Sequence, residues 1–391
     1  MNYMRYCIIG NGTAGIDAAL SIRQKDVESE IIVISASKYT HYFRPKLIDY
    51  IKEDLPAEKL FIYKDDFYVS RNINTINETR IDKIDPAKSV IVSNSGKEYG
   101  YDKLLLALGA APFIPPVVDC GLKGVFSLRG IADADRIRTY CRGKKHIVMS
   151  GGGLLGLETA YALKGYCEMI IVVDMNSCLL NRQLDRGGAA LLKQSLEARG
   201  LSFALDDCID RVNGSSQIES ITLKSGKEVK ADALIISAGV RPNITLPSES
   251  GITVKRGIVV NDNMETSIPG IYAAGDCAEH RDVLYGLWTV AKEQGKIAGL
   301  NMAGESTSYA GSVPSTMLKV SGIDLYSAGT YDETAGESLV SSSSDKYLKI
   351  VYSGDTPLGI IVIGDPDAVR MAQKVMAKRA PMEEFIKLIP R

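Results

Sequence analysis

A chain of 391 residues is too long for one ordinary domain and suggests two or three. Hydrophobic residues make up 45% and charged residues 24%, a balance that supports large cores and excludes extensive disorder. The 46 basic and 47 acidic side chains leave a net charge of −1, a poor basis for bulk binding to nucleic acid or an anionic membrane.

The chain starts Met1-Asn2-Tyr3-Met4-Arg5 and enters the buried-strand run Tyr6-Cys7-Ile8-Ile9. That run is too short for a signal-peptide core or a membrane span. Later apolar runs (Leu104–Leu108, Ile170–Val173, Ala233–Ile236) have strand length, so a soluble, cytoplasmic protein is expected. After Ile9 comes Gly10-Asn11-Gly12-Thr13-Ala14-Gly15, then Ile16, Ala19, Leu20 and Ile22 at helical spacing, then the strand Ile31–Ile34. The same order returns at His146–Met149. Gly151-Gly152-Gly153-Leu154-Leu155-Gly156 follows, then a helix to about Gly165 and the strand Met169–Asp174. This is a duplicated strand–helix–strand unit, at a separation of 141 residues from Gly10 to Gly151.

Residues 72–108 read as short strands and turns, and residues 201–238 repeat that texture. From about Ser308 the pattern changes. Met317–Val320, Leu325–Ala328, Tyr347–Val351 and Gly359–Val362 read as strands, Asp367–Lys378 and Met382–Leu388 as helices, and Ser341–Ser344 as a polar loop.

A lone GxGxxG needs no more than a tight turn. Two copies, each leaving a strand and opening a helix, meet the requirements of a dinucleotide site. The first glycine makes the turn, the second lets a pyrophosphate approach, and the third packs helix on sheet. The helix N-terminus then offers free N–H groups and the positive end of its dipole. Asp174 ends the second strand of the second unit, where an acid accepts hydrogen bonds from a ribose diol and repels a 2′-phosphate. That favours NADH over NADPH, although a solvated strand end reads the same way. In the first unit the equivalent stretch is Ser35-Ala36-Ser37, without an acid, and Glu30 lies at the wrong end of the strand.

Five motifs in order resemble the FAD-dependent pyridine-nucleotide oxidoreductases. They are Gly10–Gly15, Tyr101–Pro112, Gly151–Gly156 with Glu158, Ser237–Asn243, and Ile268–Asp276. The resemblance implies an α/β fold of two Rossmann-like dinucleotide-binding domains, for FAD and NAD, the second inserted in the first, plus a small C-terminal α/β domain. The boundaries expected are 1–110 and 238–308 for FAD, 111–237 for NAD, and 309–391 for the closing domain. It implies that FAD meets Gly10, Gly12, Thr13, Ala14, Gly15, Ser35, Ile81, Ala107, Gly109, Gly275 and Asp276. NADH would meet Gly151, Gly153, Leu155, Gly156, Asp174 and Gly239. Arg44 is assigned to FAD phosphates or ring, with a surface ion pair as the alternative.

The seven cysteines contain no close pair, which excludes CxxC zinc, redox and iron–sulfur chemistry and leaves buried thiols. The segment His41-Tyr42-Phe43-Arg44-Pro45-Lys46-Leu47 has no cysteine where the family's disulfide reductases and peroxidases need one. No histidine follows His280, so the usual C-terminal acid/base is missing too. That removes the common need for a second subunit and points to a monomer. The aromatic-x-Arg-Pro-x-Leu segment, Leu287–Gly295 and Thr316–Leu325 resemble the branch that contains rubredoxin and ferredoxin reductases and the NADH-oxidising part of nitrite reductases.

That branch implies an enzyme passing a hydride from NADH to FAD and single electrons to a small redox protein, rubredoxin first. Ferredoxin reductase, NADH oxidase and nitrite reductase component stay open, as does a non-enzymatic NADH-responsive flavoprotein. Several relatives pair a lysine with the acid equivalent to Glu158; here that place is Ile48-Asp49, leaving Lys46 as the nearest substitute. Glu158 reads as a group at the nicotinamide or flavin edge or as a solvated helix face. Trp288 reads as a flavin cover or as core. The helix opening near Leu287 would offset charge on a reduced flavin. Arg370, Lys374, Lys378, Arg379 and Lys387 form a candidate basic rim for an acidic partner.

Overall fold

The computed structural model describes residues 3–53, 55–118, 121–313, 315–320 and 322–389. Met1, Asn2, Cys120 and Ser321, which figure in the sequence reading, lie outside them. The chain is α/β and divides into two units, each discontinuous: Met1–Pro45, Pro56–Ala111 and Val240–Ser312 form the first, Lys46–Leu55, Pro112–Gly239 and Val313–Arg391 the second.

The first unit is built on a five-stranded parallel sheet in the order Ile271–Ala273, Lys103–Leu106, Arg5–Ile9, Glu30–Ile34, Ile73–Ile76. Its central strands are unbroken apolar runs, as parallel strands buried on both faces require; Cys7, Ile8, Val33, Ile34 and Leu104–Leu106 are all inaccessible. Helix Thr13–Lys25 packs against helix Trp288–Met302 almost backbone to backbone. A Cβ on Gly295 would stand 2.2 Å from the Ala14 carbonyl oxygen, so only glycine allows that approach. Glu30 sits at the strand's start, paired with Arg5 at 2.7 Å.

The second unit repeats the plan. Its parallel sheet runs Ser202–Leu205, Cys167–Asp174, Lys144–Ser150, Ala233–Ile236, Val125–Ser127. In both sheets the strand that enters the glycine loop is central. Each unit also carries a three-stranded antiparallel sheet, Ile81–Asp85 with Val90–Ser93 and Glu98–Gly100, and Ile209–Asn213 with Ser220–Leu223 and Glu228–Lys230. The helix Leu47–Lys52 belongs to the second unit, where the Tyr50 hydroxyl donates to Asp135 at 2.6 Å and the Tyr166 hydroxyl to the Ile51 carbonyl at 2.5 Å.

The closing part of this unit is a five-stranded antiparallel sheet in the order Ser315–Val320, Ile323–Gly329, Thr356–Ile363, Tyr347–Ser353, Glu337–Ser342. Helices Pro366–Lys378 and Met382–Ile386 cover it through Val369, Ala372, Val375 and Phe385. Ser341–Ser344, expected as a polar loop, is strand in its first half. Ser341 and Ser342 end the edge strand Glu337–Ser342, opposite Leu348 and Tyr347. An edge strand with one solvated face needs few apolar residues, and here only the Leu339 and Ser341 positions turn partly inward. The cysteine reading also needs correction. Cys7, Cys141 and Cys277 are buried, but Cys167, Cys178 and Cys208 are only half-buried.

Candidate dinucleotide sites

In the first loop, Gly10 has φ +112°, and a Cβ there would lie 2.2 Å from the Ala107 carbonyl oxygen. A Cβ on Gly15 would lie 1.9 Å from the Gly10 carbonyl oxygen. Both positions therefore exclude every other residue. Gly12 differs: it has ordinary extended dihedrals and nothing within 4 Å of its Cβ position. It faces open space at the N-cap of helix Thr13–Lys25, and no side chain caps that helix. The first-turn N–H groups are left for something from outside. The Thr13 hydroxyl is buried and unpartnered. Gly275, with φ +84°, lies against Ala14 and donates its N–H to Gln294 Oε1 at 2.9 Å, while Gln294 Nε2 has no partner. Asp276 follows on this turn, half-buried. Donors, an open cradle, orphaned polar atoms and one carboxylate fit the pyrophosphate and polyol chain of FAD.

Other predicted contacts of the first unit gather less tightly. Ser35 is buried, its hydroxyl accepting from the Ser37 N–H at 3.1 Å, and its carbonyl accepts from Thr79, two residues before Ile81. Gly109, φ +65°, accepts from the Asn243 N–H at 3.0 Å, and Asn243 Nδ2 donates to Leu108 at 2.8 Å. Trp288 opens its helix half-buried, stacked on His41 (centroids 5.5 Å, planes 6° apart) with Phe43 edge-on at 5.1 Å. Burial, then the Arg44 charge, pushes His41 down to about 4, so this imidazole is neutral at pH 7. The Arg44 guanidinium stands over the Tyr42 ring at 5.2 Å.

The second loop has the same geometry. Gly151 has φ +116°, with the Ser237 carbonyl oxygen 2.3 Å from a Cβ there; Gly156 meets the Gly151 oxygen at 2.0 Å; and Gly153 again opens onto free space at an uncapped helix N-terminus. Leu155 is partly exposed on that first turn. Gly239, φ +97°, also has open space around it. Asp174 reaches back to the loop. Its Oδ2 accepts the Gly152 N–H at 2.5 Å, and its Oδ1 accepts from Asn176 N and Nδ2 at 2.8 and 2.7 Å.

Glu158 lies on helix Leu154–Leu163, which packs on helix Leu47–Lys52 in the same unit. Burial, then the negative charge of Asp49, pushes its carboxyl up to about 7. The structure does not pair Lys46 with Glu158. Lys46 is exposed and makes no ion pair among the described residues. A carboxylate, Asp49, acts on Glu158 where a cation was expected, because helix Leu47–Lys52, which carries it, packs on the helix that carries Glu158. The influence of Asp49 on Glu158 was missed, although its place in the sequence marked the departure. Asn243 and Gln294 were missed too.

A folded carboxyl raised above its unfolded value binds more protons folded than unfolded between the two. Stability is therefore full below about pH 4.5 and falls as pH rises to about 7. Glu158→Gln should raise Tm at pH 8, by about 1–3 kcal/mol of stability, and the gain should vanish near pH 4.5. A constant difference across a pH series of melting curves would contradict this.

On the closing helices, Arg370 pairs with Asp367 and Lys387 with Glu384, which weakens the basic rim expected there. Among the described residues no helix is long and apolar enough to cross a membrane. Among the described residues no group of three or more His, Cys, Asp or Glu side chains gathers as for a metal.

Comparison with known proteins covers the length of the chain. A family model described as pyridine nucleotide-disulphide oxidoreductase matches residues 4–295, and one described as rubredoxin NAD+ reductase C-terminal domain matches residues 314–380. The NAD(P)H nitrite reductase of Bacillus subtilis is 34% identical over 99% of this chain, which covers 49% of it. The NADH-rubredoxin oxidoreductase of Clostridium acetobutylicum is 34% identical over 93% of this chain and 92% of its own length. The crystal structure of NADH:rubredoxin oxidoreductase from that organism superposes with a TM-score of 0.82 at 31% identity, covering 99% of this chain and all of the other. The chain thus spans about half the length of the Bacillus relatives it matches and nearly all of the clostridial one. Members of this family use FAD and NAD(H). With both glycine loops inside the matched region, the chain belongs to the pyridine nucleotide-disulphide oxidoreductase family.

Proposed function

We propose that this protein is an NADH:rubredoxin oxidoreductase that works through FAD without a redox-active disulfide. The observation that carries the reading is the doubled glycine loop, two cradles of one geometry in a chain whose His41–Leu47 segment has aromatic residues and no cysteine. FAD is held by residues 1–110 and 238–308, NADH by residues 111–237, and residues 309–391 form the closing domain.

When bound, FAD would supply the acceptor for a hydride and the donor of single electrons. The N–H groups after Gly12 hold its pyrophosphate, and Asp276 accepts from its hydroxyls. Gly153 and the first turn of its helix hold the NADH pyrophosphate. Asp174 accepts from the adenosine ribose diol while fixing the Gly152 N–H. Glu158, raised to about 7 by burial and then by Asp49, can hold or release a proton near neutral pH. The uncapped N-terminus of helix Trp288–Met302 offsets negative charge. Trp288, backed by the neutral His41 on which it stacks, would offer an uncharged face to the isoalloxazine. The six described cysteines are free and unpaired, which suits a reducing cytoplasm, and the protein acts as a monomer.

Rubredoxin is favoured as acceptor because the chain matches nearly the full length of the clostridial oxidoreductase, closing domain included. The match to the front half of a nitrite reductase supports a second reading, the NADH-oxidising component of a larger reductase. An anaerobic screen of the NADH-reduced protein against rubredoxin, ferredoxin, oxygen and nitrite separates them. Rubredoxin should reoxidise the flavin at least tenfold faster than the others. Reoxidation by oxygen or ferredoxin alone would overturn the assignment, and slow reoxidation by all four would favour the second reading.

A further inference from the structure

Lys349, in the strand Tyr347–Ser353 of the closing sheet, is only 1% exposed. A lysine that deep has to be paired. Its Nζ lies 3.0 Å from Asp185 Oδ2, and the Tyr347 hydroxyl donates to the same oxygen at 2.7 Å. The other carboxylate oxygen accepts the Gly188 N–H at 2.9 Å and caps helix Arg186–Glu197. Burial alone would push the Asp185 carboxyl up. The Gly188 N–H, Tyr347 and Lys349 together outweigh it and hold the carboxyl below the usual range.

Asp185 ends a segment that begins at Asp174, and the bonds along that segment are continuous. Asn176 donates to Asp174, and Asn181 Nδ2 donates to Asn176 Oδ1 at 3.0 Å. The Leu180 N–H, in the left-handed region at φ +50°, donates to the Gly152 carbonyl at 3.3 Å. Leu179, Leu180 and Leu184 are buried. The Ser327 hydroxyl, from the closing sheet, donates to the Gln183 carbonyl at 2.5 Å. Residues 175–184 are therefore fastened to the second glycine loop at one end and to the closing sheet at the other.

We propose that Lys349 is a positioning residue for the nicotinamide nucleotide: through Asp185 and residues 175–184, the closing domain holds Gly152 and Asp174 in the arrangement that receives the adenosine ribose. This rests on the second loop being the NADH site. It gives the closing domain a role in nucleotide affinity besides any role toward an acceptor. Lys349→Met removes the charge that holds Asp185 and changes no residue of either glycine loop.

The test uses the FAD-loaded protein. NAD+ binding is measured by calorimetry, NADH kinetics with ferricyanide as acceptor, and hydrogen exchange over residues 175–184. Lys349→Met should weaken NAD+ roughly tenfold and raise the KM for NADH alike, within the usual span of coupling between linked sites. The kcat should stay within about twofold, exchange in 175–184 should speed up, and the flavin spectrum should not change. Tyr347→Phe, a milder cut at the same carboxylate, should weaken NAD+ by roughly threefold and answers the question if Lys349→Met does not fold. Unchanged NAD+ affinity in the variants, beside normal binding by the parent protein, would make Lys349 a prop of the closing sheet and overturn the proposal. A parent protein that does not bind NAD+ would instead overturn the reading of the second loop.

Discussion

Gly12→Asp should yield a folded, colourless protein, and Gly153→Asp a folded, yellow protein that NADH cannot bleach. Each glycine is an N-cap with extended dihedrals and open space around its Cβ position. Aspartate is a preferred N-cap residue, so neither helix should lose stability and each should gain a few tenths of a kcal/mol. The new carboxylate would stand where a pyrophosphate binds and would satisfy the N–H groups that hold it. Two like charges about 4 Å apart at a protein surface repel by about 4 kcal/mol, close to a thousandfold in affinity. Absorbance at 450 nm after purification reads FAD content, circular dichroism reads the fold, and dithionite should still bleach Gly153→Asp. The opposite pattern of colour would exchange the two nucleotide assignments. Unfolding of both variants would show that the cradles are structural turns.

Asp174→Arg should lower kcat/KM for NADH at least a hundredfold and turn the preference toward NADPH. Asp174 accepts the Gly152 N–H at 2.5 Å as well as facing the expected ribose, so the substitution removes two things together. Hydrogen bonds to a charged acceptor contribute about 1.5–3 kcal/mol each, and an arginine adds attraction for a 2′-phosphate. Asp174→Asn separates the two effects. It keeps an acceptor for Gly152 but weakens the diol contact, and should cost roughly tenfold with little change in preference. Equal NADH-to-NADPH ratios of kcat/KM in all three proteins would remove Asp174 from the site.

The parts of this fold legible in the sequence are those controlled by local sterics and by burial on both faces. Gly10, Gly15, Gly151 and Gly156 are readable because φ or a carbonyl about 2 Å from a would-be Cβ admits nothing else. The runs Tyr6–Ile9, Ile31–Ile34 and Ala233–Ile236 are readable because parallel strands covered on both sides need no polar alternation. What escaped reading depends on partners far along the chain. The helix Leu47–Lys52 follows the aromatic segment without a break, yet it packs in the other unit, where Asp49 acts on Glu158. No spacing pattern reports that encounter. Lys349 sits in an ordinary apolar strand, and its partner Asp185 is 164 positions away. Helix Arg186–Glu197 opens with two glycines, which propensity disfavours. Tyr347 lies within 3 Å of where a Cβ on Gly187 would stand, so close packing explains that residue. The serine edge strand was missed for the converse reason: its pairing with Tyr347–Ser353 supplies what composition does not.

In the proposed reaction two electrons enter from NADH and leave singly, with no protein disulfide between. An anaerobic titration of the holoprotein, with NADH and then with oxidised rubredoxin, tests it most directly. One NADH per chain should bleach the flavin completely, and two equivalents of rubredoxin should restore it, each reduced by one electron. Uptake of a second NADH before bleaching is complete would reveal another two-electron acceptor in the chain. A bleached flavin that persists in the presence of rubredoxin would contradict the account outright.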